Sequence, residues 1–367
     1  MSDGPILIMA GGTGGHVFPA MAVAQALLAR EVEVVWLGTR RGLEARLVPP
    51  AGIPIEWINI GGLRGKGLTT VLVAPVALIR ALWQSVCVLR RLQPSAVLGM
   101  GGFVSGPGGL AAWLLRRPLI IHEQNTVPGM TNRLLARVAR VVLEAFPGSF
   151  DAAAGARHVG NPVRREISAL APPDIRLARR DGPARLLVLG GSQGALRLNQ
   201  VVPEALFRLP LRVRPEVWHQ AGPGTLNAAE QAYRAAEIEA RLDAFIDDMA
   251  AAYAWADLVV CRAGALTVSE LANVGLGAVF VPFPAAVDDH QTRNAGHLVG
   301  VGAAVLVPEP ELTAERLARE LGQLLGNRAR LLDMARAARA QAMPDAAEQV
   351  AETCLRAARA QAERAAA

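Results

Sequence analysis

Short, almost wholly apolar runs alternate with longer helix-patterned stretches along almost the whole chain, and no other feature limits its fold so tightly. Such runs occur at 6–9, 32–37, 96–98, 119–121, 186–189, 258–260 and 278–281. Strands apolar on both faces, with a helical stretch between each pair, form a parallel sheet covered by helices on both sides. The chain is therefore read as α/β. Its 367 residues exceed what one small core needs and suit two domains. A proline-rich stretch, "GNPVRREISALAPPD" (160–174), is the natural linker. The expected division is 1–163 and 164–343, with a final helix near 344–362, begun by Pro344, able to return to the first domain.

Three runs are followed by glycine-rich turns: "AGGTGGH" (10–16), "GMGGFVSGPGG" (99–109) and "GGSQGA" (190–195). Turns of this kind bring backbone N–H groups close to ligand oxygens, and the helix that follows adds a partial positive charge. The third repeats the strand, turn and helix of the first about half a chain later, so each domain reads as Rossmann-like. In open parallel sheets ligands sit at the carboxyl ends of the strands, where all three turns fall. The dinucleotide fingerprint is incomplete. Gly12-Thr13-Gly14 is not followed by the third glycine, and the next run ends in Gly38-Thr39, with no acidic residue to hold a ribose. Nicotinamide and flavin are disfavoured, and a nucleotide or pyrophosphate donor held between two domains is the economical expectation.

Two other stretches carry chemistry. The run at 118–121 ends in His122-Glu123-Gln124-Asn125, four polar side chains that suit a polyhydroxylated ligand. Residues 258–260 lead through Arg262 and Gly264 into a helix with Thr267 and Glu270. Thr267-x-x-Glu270 reads either as a capping box or as a helix start aimed at a diphosphate, with Glu270 on the ribose. The net charge of +6 admits nucleic acid, anionic lipid or a phosphorylated substrate, and no aromatic-studded basic stretch supports nucleic acid. Cys87, Cys261 and Cys354 have no metal-ligand spacing and suit a reducing cytoplasm, and no signal-peptide pattern opens the chain.

Taken in order, "GGTGGHVFPA", "GMGGFVSGP", "HEQN", "GNPVR", "GGSQGA", "CRAGALTVSELA" and "DDHQTRNA" resemble the MurG family of peptidoglycan N-acetylglucosaminyltransferases over residues 11 to about 302. That resemblance implies a GT-B architecture, two Rossmann-like domains facing a central cleft. It implies inverting transfer of N-acetylglucosamine from UDP-N-acetylglucosamine to the 4-hydroxyl of the N-acetylmuramoyl unit of undecaprenyl-pyrophosphoryl-MurNAc-pentapeptide, lipid I becoming lipid II. No metal or other cofactor is implied, and no D-x-D motif stands at a strand end. By the same resemblance Thr13, Gly14 and Gly15 form the first glycine loop, and Asn125 and Gln291 hold the donor sugar. Arg164 and Ser192 meet the nucleotide or its phosphates, and Ile246 reads the uracil through its backbone. Ala265, Leu266, Thr267, Val268, Ser269 and Glu270 cover the diphosphate and ribose.

His16, at the lip of the first turn, becomes the candidate general base, since imidazole titrates near pH ~6.5. A cationic contact to the acceptor pyrophosphate is its other reading, and Glu123 is the reserve base. The lipid acceptor implies a peripheral protein on the cytoplasmic face of the plasma (inner) membrane, within reach of a cell-wall synthesis complex. Residues 61–94 are apolar but interrupted by Pro75 and Arg80 and flanked by Arg64, Lys66, Arg90 and Arg91. They suit a helix lying on anionic lipid, extended by 111–117, or a core helix with snorkelling arginines. Rival functions are a UDP-N-acetylglucosamine 2-epimerase on the same scaffold and a non-catalytic nucleotide-sugar-binding membrane module.

Overall fold

A computed structural model describes residues 4–61, 68–178, 180–191, 194–284 and 289–366. The chain divides into two compact units, Met1–Arg164 with Pro344–Ala367, and Arg165–Met343. In the first unit the strands are β1 (Ile6–Met9), β2 (Val34–Gly38), β3 (Ile55–Trp57), β4 (Ala96–Gly99), β5 (Leu119–Glu123), β6 (Val141–Glu144) and β7 (Arg157–His158). They form one sheet in the order β3-β2-β1-β4-β5-β6-β7, every pair parallel. The second unit holds β8 (Arg185–Leu189), β9 (Glu216–Gln220), β10 (Arg241–Asp243), β11 (Leu258–Cys261), β12 (Gly277–Phe280) and β13 (Ala304–Leu306). Their order is β10-β9-β8-β11-β12-β13, again all parallel.

Alternation along β1 explains why that strand must be apolar throughout. Ile6 and Ile8 join a core with Val17, Ala20 and Val23 of the helix Gly14–Leu28 and Val350, Ala351 and Cys354 of the helix Ala346–Ala366. Leu7 and Met9 point the other way, into a core with Val88 and Leu89 of the helix Leu68–Leu92 and Ala111 and Ala112 of the helix Ser105–Leu114. The terminal helix thus packs on the first unit, beginning at Ala346, two residues after the proline expected to open it. Leu186, Val188, Leu258 and Val260 fill a core of the second unit with the helices Leu196–Phe207 and Ala314–Leu325.

Each sheet reverses its strand order once, beside β1 and β4 in the first and beside β8 and β11 in the second. A crevice opens at such switch points, outside the carboxyl ends of the strands. The glycine turns after β1 and β4, Gly190 and Gly191 after β8, and the Arg262–Gly264 turn after β11 stand at these ends.

Candidate active site

In the first unit the two glycine turns pack on each other. Thr13 caps the helix Gly14–Leu28 in an extended conformation, and His16 lies in its first turn, half-buried. Gly101, with φ of +94°, abuts the imidazole: a β-carbon there would stand 2.7 Å from His16 Nδ1. The glycine in the second turn makes room for a side chain of the first, a role the phosphate reading of that turn did not foresee. Glu44 was missed altogether. Fully buried, it accepts from the Gly12 N–H (2.9 Å), the Thr39 N–H (2.9 Å) and the Thr39 hydroxyl (2.8 Å). The first turn therefore rests on a carboxylate of its own unit at Gly12.

The polar end of β5 departs from expectation. His122, Glu123 and Gln124 are buried and satisfied within the unit, so three of the four side chains read as ligand-facing turn inward. Glu123 Oε1 accepts from the backbone N–H and the side-chain amide of Asn125, at 3.0 and 3.2 Å. Its Oε2 accepts from the Gly129 N–H (3.1 Å) and from Asn132 Nδ2 (2.9 Å). Four donors on one buried carboxylate make it the anchor of the 125–132 loop, a structural role distinct from that of a reserve base. Burial pushes His122 down to about 4, against smaller upward pulls from the Gly160 carbonyl and Glu123. It stays neutral, with Nε2 2.9 Å from the Gly160 oxygen and Nδ1 3.0 Å from Gln124 Nε2. Gln124 Oε1 lies 2.9 Å from His16 Nδ1. Asn125 stays half-buried, its carbonyl accepting from Ser149. Arg164 belongs to this unit too, its guanidinium 5.2 Å from the centre of the Phe18 ring, two residues along the helix from His16.

In the second unit the helix Ala265–Val274 starts from Gly264 as its cap. That start rules out the capping box. Thr267 is already the third helical residue, and Glu270 lies three further on, beyond reach of the end. Glu270 is buried and accepts a hydrogen bond from the Tyr253 hydroxyl at 2.9 Å, a partner seventeen residues earlier. Ala265, Val268 and Ser269 are buried, while Leu266 and Thr267 are half-buried at the helix start. Gln291 Oε1 accepts from the N–H groups of Ala263 (3.2 Å) and Phe283 (2.9 Å), so its amide nitrogen is the end left to donate. The buried Gln220, also missed, donates to the Gly191 carbonyl (3.0 Å) and accepts from the Ile246 N–H (3.3 Å). A backbone contact from Ile246 to a base thus falls to its carbonyl. Asp248 caps the helix Met249–Trp255 through the Ala251 N–H. Ser192 lies outside the described residues, as do Arg64 and Lys66.

The helices Leu68–Leu92 and Ser105–Leu114 pack together. Val76, Ile79 and Trp83 stand exposed at helical spacing on the first, and Trp113 and Leu114 on the second. Arg80, Arg90 and Arg116 are exposed on the same two helices or just beyond them, but Arg91 is held by Glu56 at 2.6 Å. Among the described residues no helix is long and apolar enough to cross a membrane.

Two Rossmann-like units, each with glycine-bearing turns at its switch point, define a protein of the GT-B fold class. The model of the glycosyltransferase family 28 N-terminal domain matches residues 6–144, and that of the C-terminal domain of the same family matches 185–350. The chain belongs to glycosyltransferase family 28. It is 62% identical over 350 residues to the UDP-N-acetylglucosamine–N-acetylmuramyl-(pentapeptide) pyrophosphoryl-undecaprenol N-acetylglucosamine transferase of Nitrosococcus oceani, covering 95% of this chain and 98% of that one. The transferase of the same name from Alkalilimnicola ehrlichii is 60% identical, with 97% and 99% covered. A crystal structure of Acinetobacter baumannii MurG superposes with a TM-score of 0.84 at 42% identity, covering 96% of this chain and 99% of that one. The resemblance to the MurG family read from the motifs is thereby borne out. A UDP-GlcNAc 2-epimerase from Neisseria meningitidis shares the fold alone, at 12% identity and a TM-score of 0.67.

Proposed function

We infer that the chain transfers N-acetylglucosamine from UDP-N-acetylglucosamine to the 4-hydroxyl of the N-acetylmuramoyl unit of lipid I, giving lipid II. The observation that carries this reading is near-full-length identity of 60% and above to transferases so named, against likeness in fold alone to an epimerase.

The second unit supplies most of the residues that hold the donor. Backbone N–H groups at the start of the helix Ala265–Val274 face the diphosphate, and its positive end favours the charge that UDP gains on leaving. Glu270, oriented by Tyr253, accepts from the ribose hydroxyls; the Ile246 carbonyl meets the uracil; Gln291 Nε2 and Asn125 hold the sugar. Arg164 and Ser192 meet the nucleotide or its phosphates. The first unit supplies Thr13, Gly14 and Gly15 to the acceptor side, and His16 is the base. Its Nε2 takes the proton of the acceptor 4-hydroxyl as that oxygen attacks the anomeric carbon. The bond to the UDP oxygen breaks with its electron pair, and the configuration inverts. No step requires a metal.

The lipid acceptor draws the protein to the cytoplasmic face of the plasma membrane, beside the rest of the cell-wall machinery. The exposed Val76, Ile79, Trp83, Trp113 and Leu114, with Arg80, Arg90 and Arg116 near them, support contact with an anionic bilayer.

The decisive experiment is transfer of label from UDP-N-acetylglucosamine to a short-chain lipid I analogue. Label should move only when both substrates are present. Conversion of the donor alone to its manno isomer, or no transfer at all, would overturn the assignment.

A further inference from the structure

We propose that His122 and Gln124 are positioning residues that fix the tautomer of His16, placing its proton on Nδ1 and leaving Nε2 as the bare, proton-accepting nitrogen. The inference rests on His16 acting as the base.

The chain of donors begins at a group that can only accept. His122 Nε2 lies 2.9 Å from the Gly160 carbonyl oxygen, so Nε2 must carry the hydrogen. The ring is fully buried and neutral, so its Nδ1 is a bare lone pair. Gln124 Nε2 stands 3.0 Å from that lone pair and 3.1 Å from the backbone oxygen of His122. Both amide hydrogens therefore have acceptors. The opposite rotamer would set the amide oxygen against a lone pair and a carbonyl, so the amide has one workable orientation. Gln124 Oε1 then faces His16 Nδ1 at 2.9 Å, and an amide oxygen can only accept. A neutral imidazole has one N–H, and here it is on Nδ1.

Two further features hold the arrangement. Gln124 is buried, so water does not compete for its oxygen. Gly101 leaves the imidazole space that a β-carbon would fill, which allows the ring to lie against the amide. When Nε2 takes a proton, Nδ1 goes on donating to Gln124, so the base is charged and discharged without any hydrogen in the relay moving. The device orients the imidazole through neutral groups, whereas a carboxylate partner would also stabilise its cation.

The test is ring-nitrogen NMR on the full chain with 15N-labelled histidine above pH 8, His16 being assigned by the signals lost in His16→Gln. The expected spectrum has a protonated Nδ1 and a bare Nε2 at His16. Gln124→Leu should shift His16 toward the Nε2–H form, which predominates for histidine in water. It should also lower kcat about tenfold or more, with KM for the donor changed less than about twofold. A wild-type His16 protonated on Nε2 would overturn the relay, as would a Gln124→Leu spectrum and kcat like those of the wild type. Should Gln124→Leu not fold, the wild-type spectrum decides alone. Failure of the base assignment looks different: His16→Gln would keep its kcat, whatever the tautomer.

Discussion

Replacing Glu123 by glutamine separates two roles that one carboxylate cannot hold together. The side chain is 2% exposed and each of its oxygens accepts two hydrogen bonds. Glutamine keeps one oxygen and turns an NH2 group toward two donors, from Asn125 on one side or from Gly129 and Asn132 on the other. Hydrogen bonds to a charged acceptor contribute ~1.5–3 kcal/mol each, so two lost bonds cost on the order of 3–6 kcal/mol. For a domain of ~150–250 residues each kcal/mol moves Tm by roughly 2–4 °C, giving a fall on the order of 10 °C. Calorimetry should find that loss in the unit formed by Met1–Arg164 and Pro344–Ala367. At a temperature where the variant is folded, the displaced Asn125 should raise KM for the donor, while the acid limb of kcat stays where it was. An unchanged Tm, with kcat at saturation lost and the acid limb abolished, would refute the anchoring role and return Glu123 to the position of base.

Four other outcomes follow from the same contacts. Glu44→Ala leaves three donors of Gly12 and Thr39 without their acceptor and should cost on the order of 4–9 kcal/mol, less whatever water restores at the exposed Gly12, while calorimetric affinity for UDP stays unchanged; an unaltered Tm would show that water replaces the carboxylate. Tyr253→Phe should raise KM for the donor roughly tenfold with kcat nearly constant, and equal losses in both would argue that Glu270 acts only in the transition state. Burial holds His219 down at about 3, so the unfolded chain takes up its proton first as pH falls below ~6.5 and stability drops between there and about 3. His219→Asn should reduce the slope of unfolding free energy against pH near 5.5 by about one proton, ~1.4 kcal/mol per pH unit, and an unchanged slope would place the proton elsewhere. Arg80→Glu with Trp83→Ala should reduce binding to anionic vesicles at least tenfold and spare transfer to a water-soluble acceptor, each basic residue near such a surface contributing ~1 kcal/mol; undiminished binding would move the contact off this helix.

The sheets were legible because most of their central strands are buried on both faces and carry a continuous apolar run, although the interior β9, with His219 and Gln220, does not. Edge strands lack that constraint. Ile55–Trp57, Arg157–His158 and Arg241–Asp243 carry no apolar run, and their pairing is set by a neighbour already in place. Contacts distant in sequence were equally silent. Nothing in "GLEARL" (42–47) announces that Glu44 will hold the Gly12 amide, and nothing near Glu270 points to Tyr253. The motifs named the family at once because their order survives without any knowledge of contacts, but order alone could not say which way a side chain turns.

The end of β5 shows where that limit lies and how a physical rule could have passed it. Four polar residues in a row look like one ligand-facing cluster, yet side chains along a strand alternate, so residues two apart share a face. His122 therefore pairs with Gln124, and Glu123 with Asn125, each pair through direct hydrogen bonds. The first pair faces the helix Gly14–Leu28 and reaches His16. The second faces the loop that carries Gly129 and Asn132 and ties it down. Burial removes water as a partner from both, so each polar atom must find its complement within the protein, and the complements differ: a neutral donor–acceptor chain on one face, four donors converging on a charge on the other. A carboxylate in the place of Gln124 would have met the lone pair of His122 with no hydrogen to offer it, and would have stabilised the His16 cation as well as its tautomer. An amide in the place of Glu123 could not have gathered four donors. The order of these two residues is thus what separates aiming the base from anchoring the loop beside it.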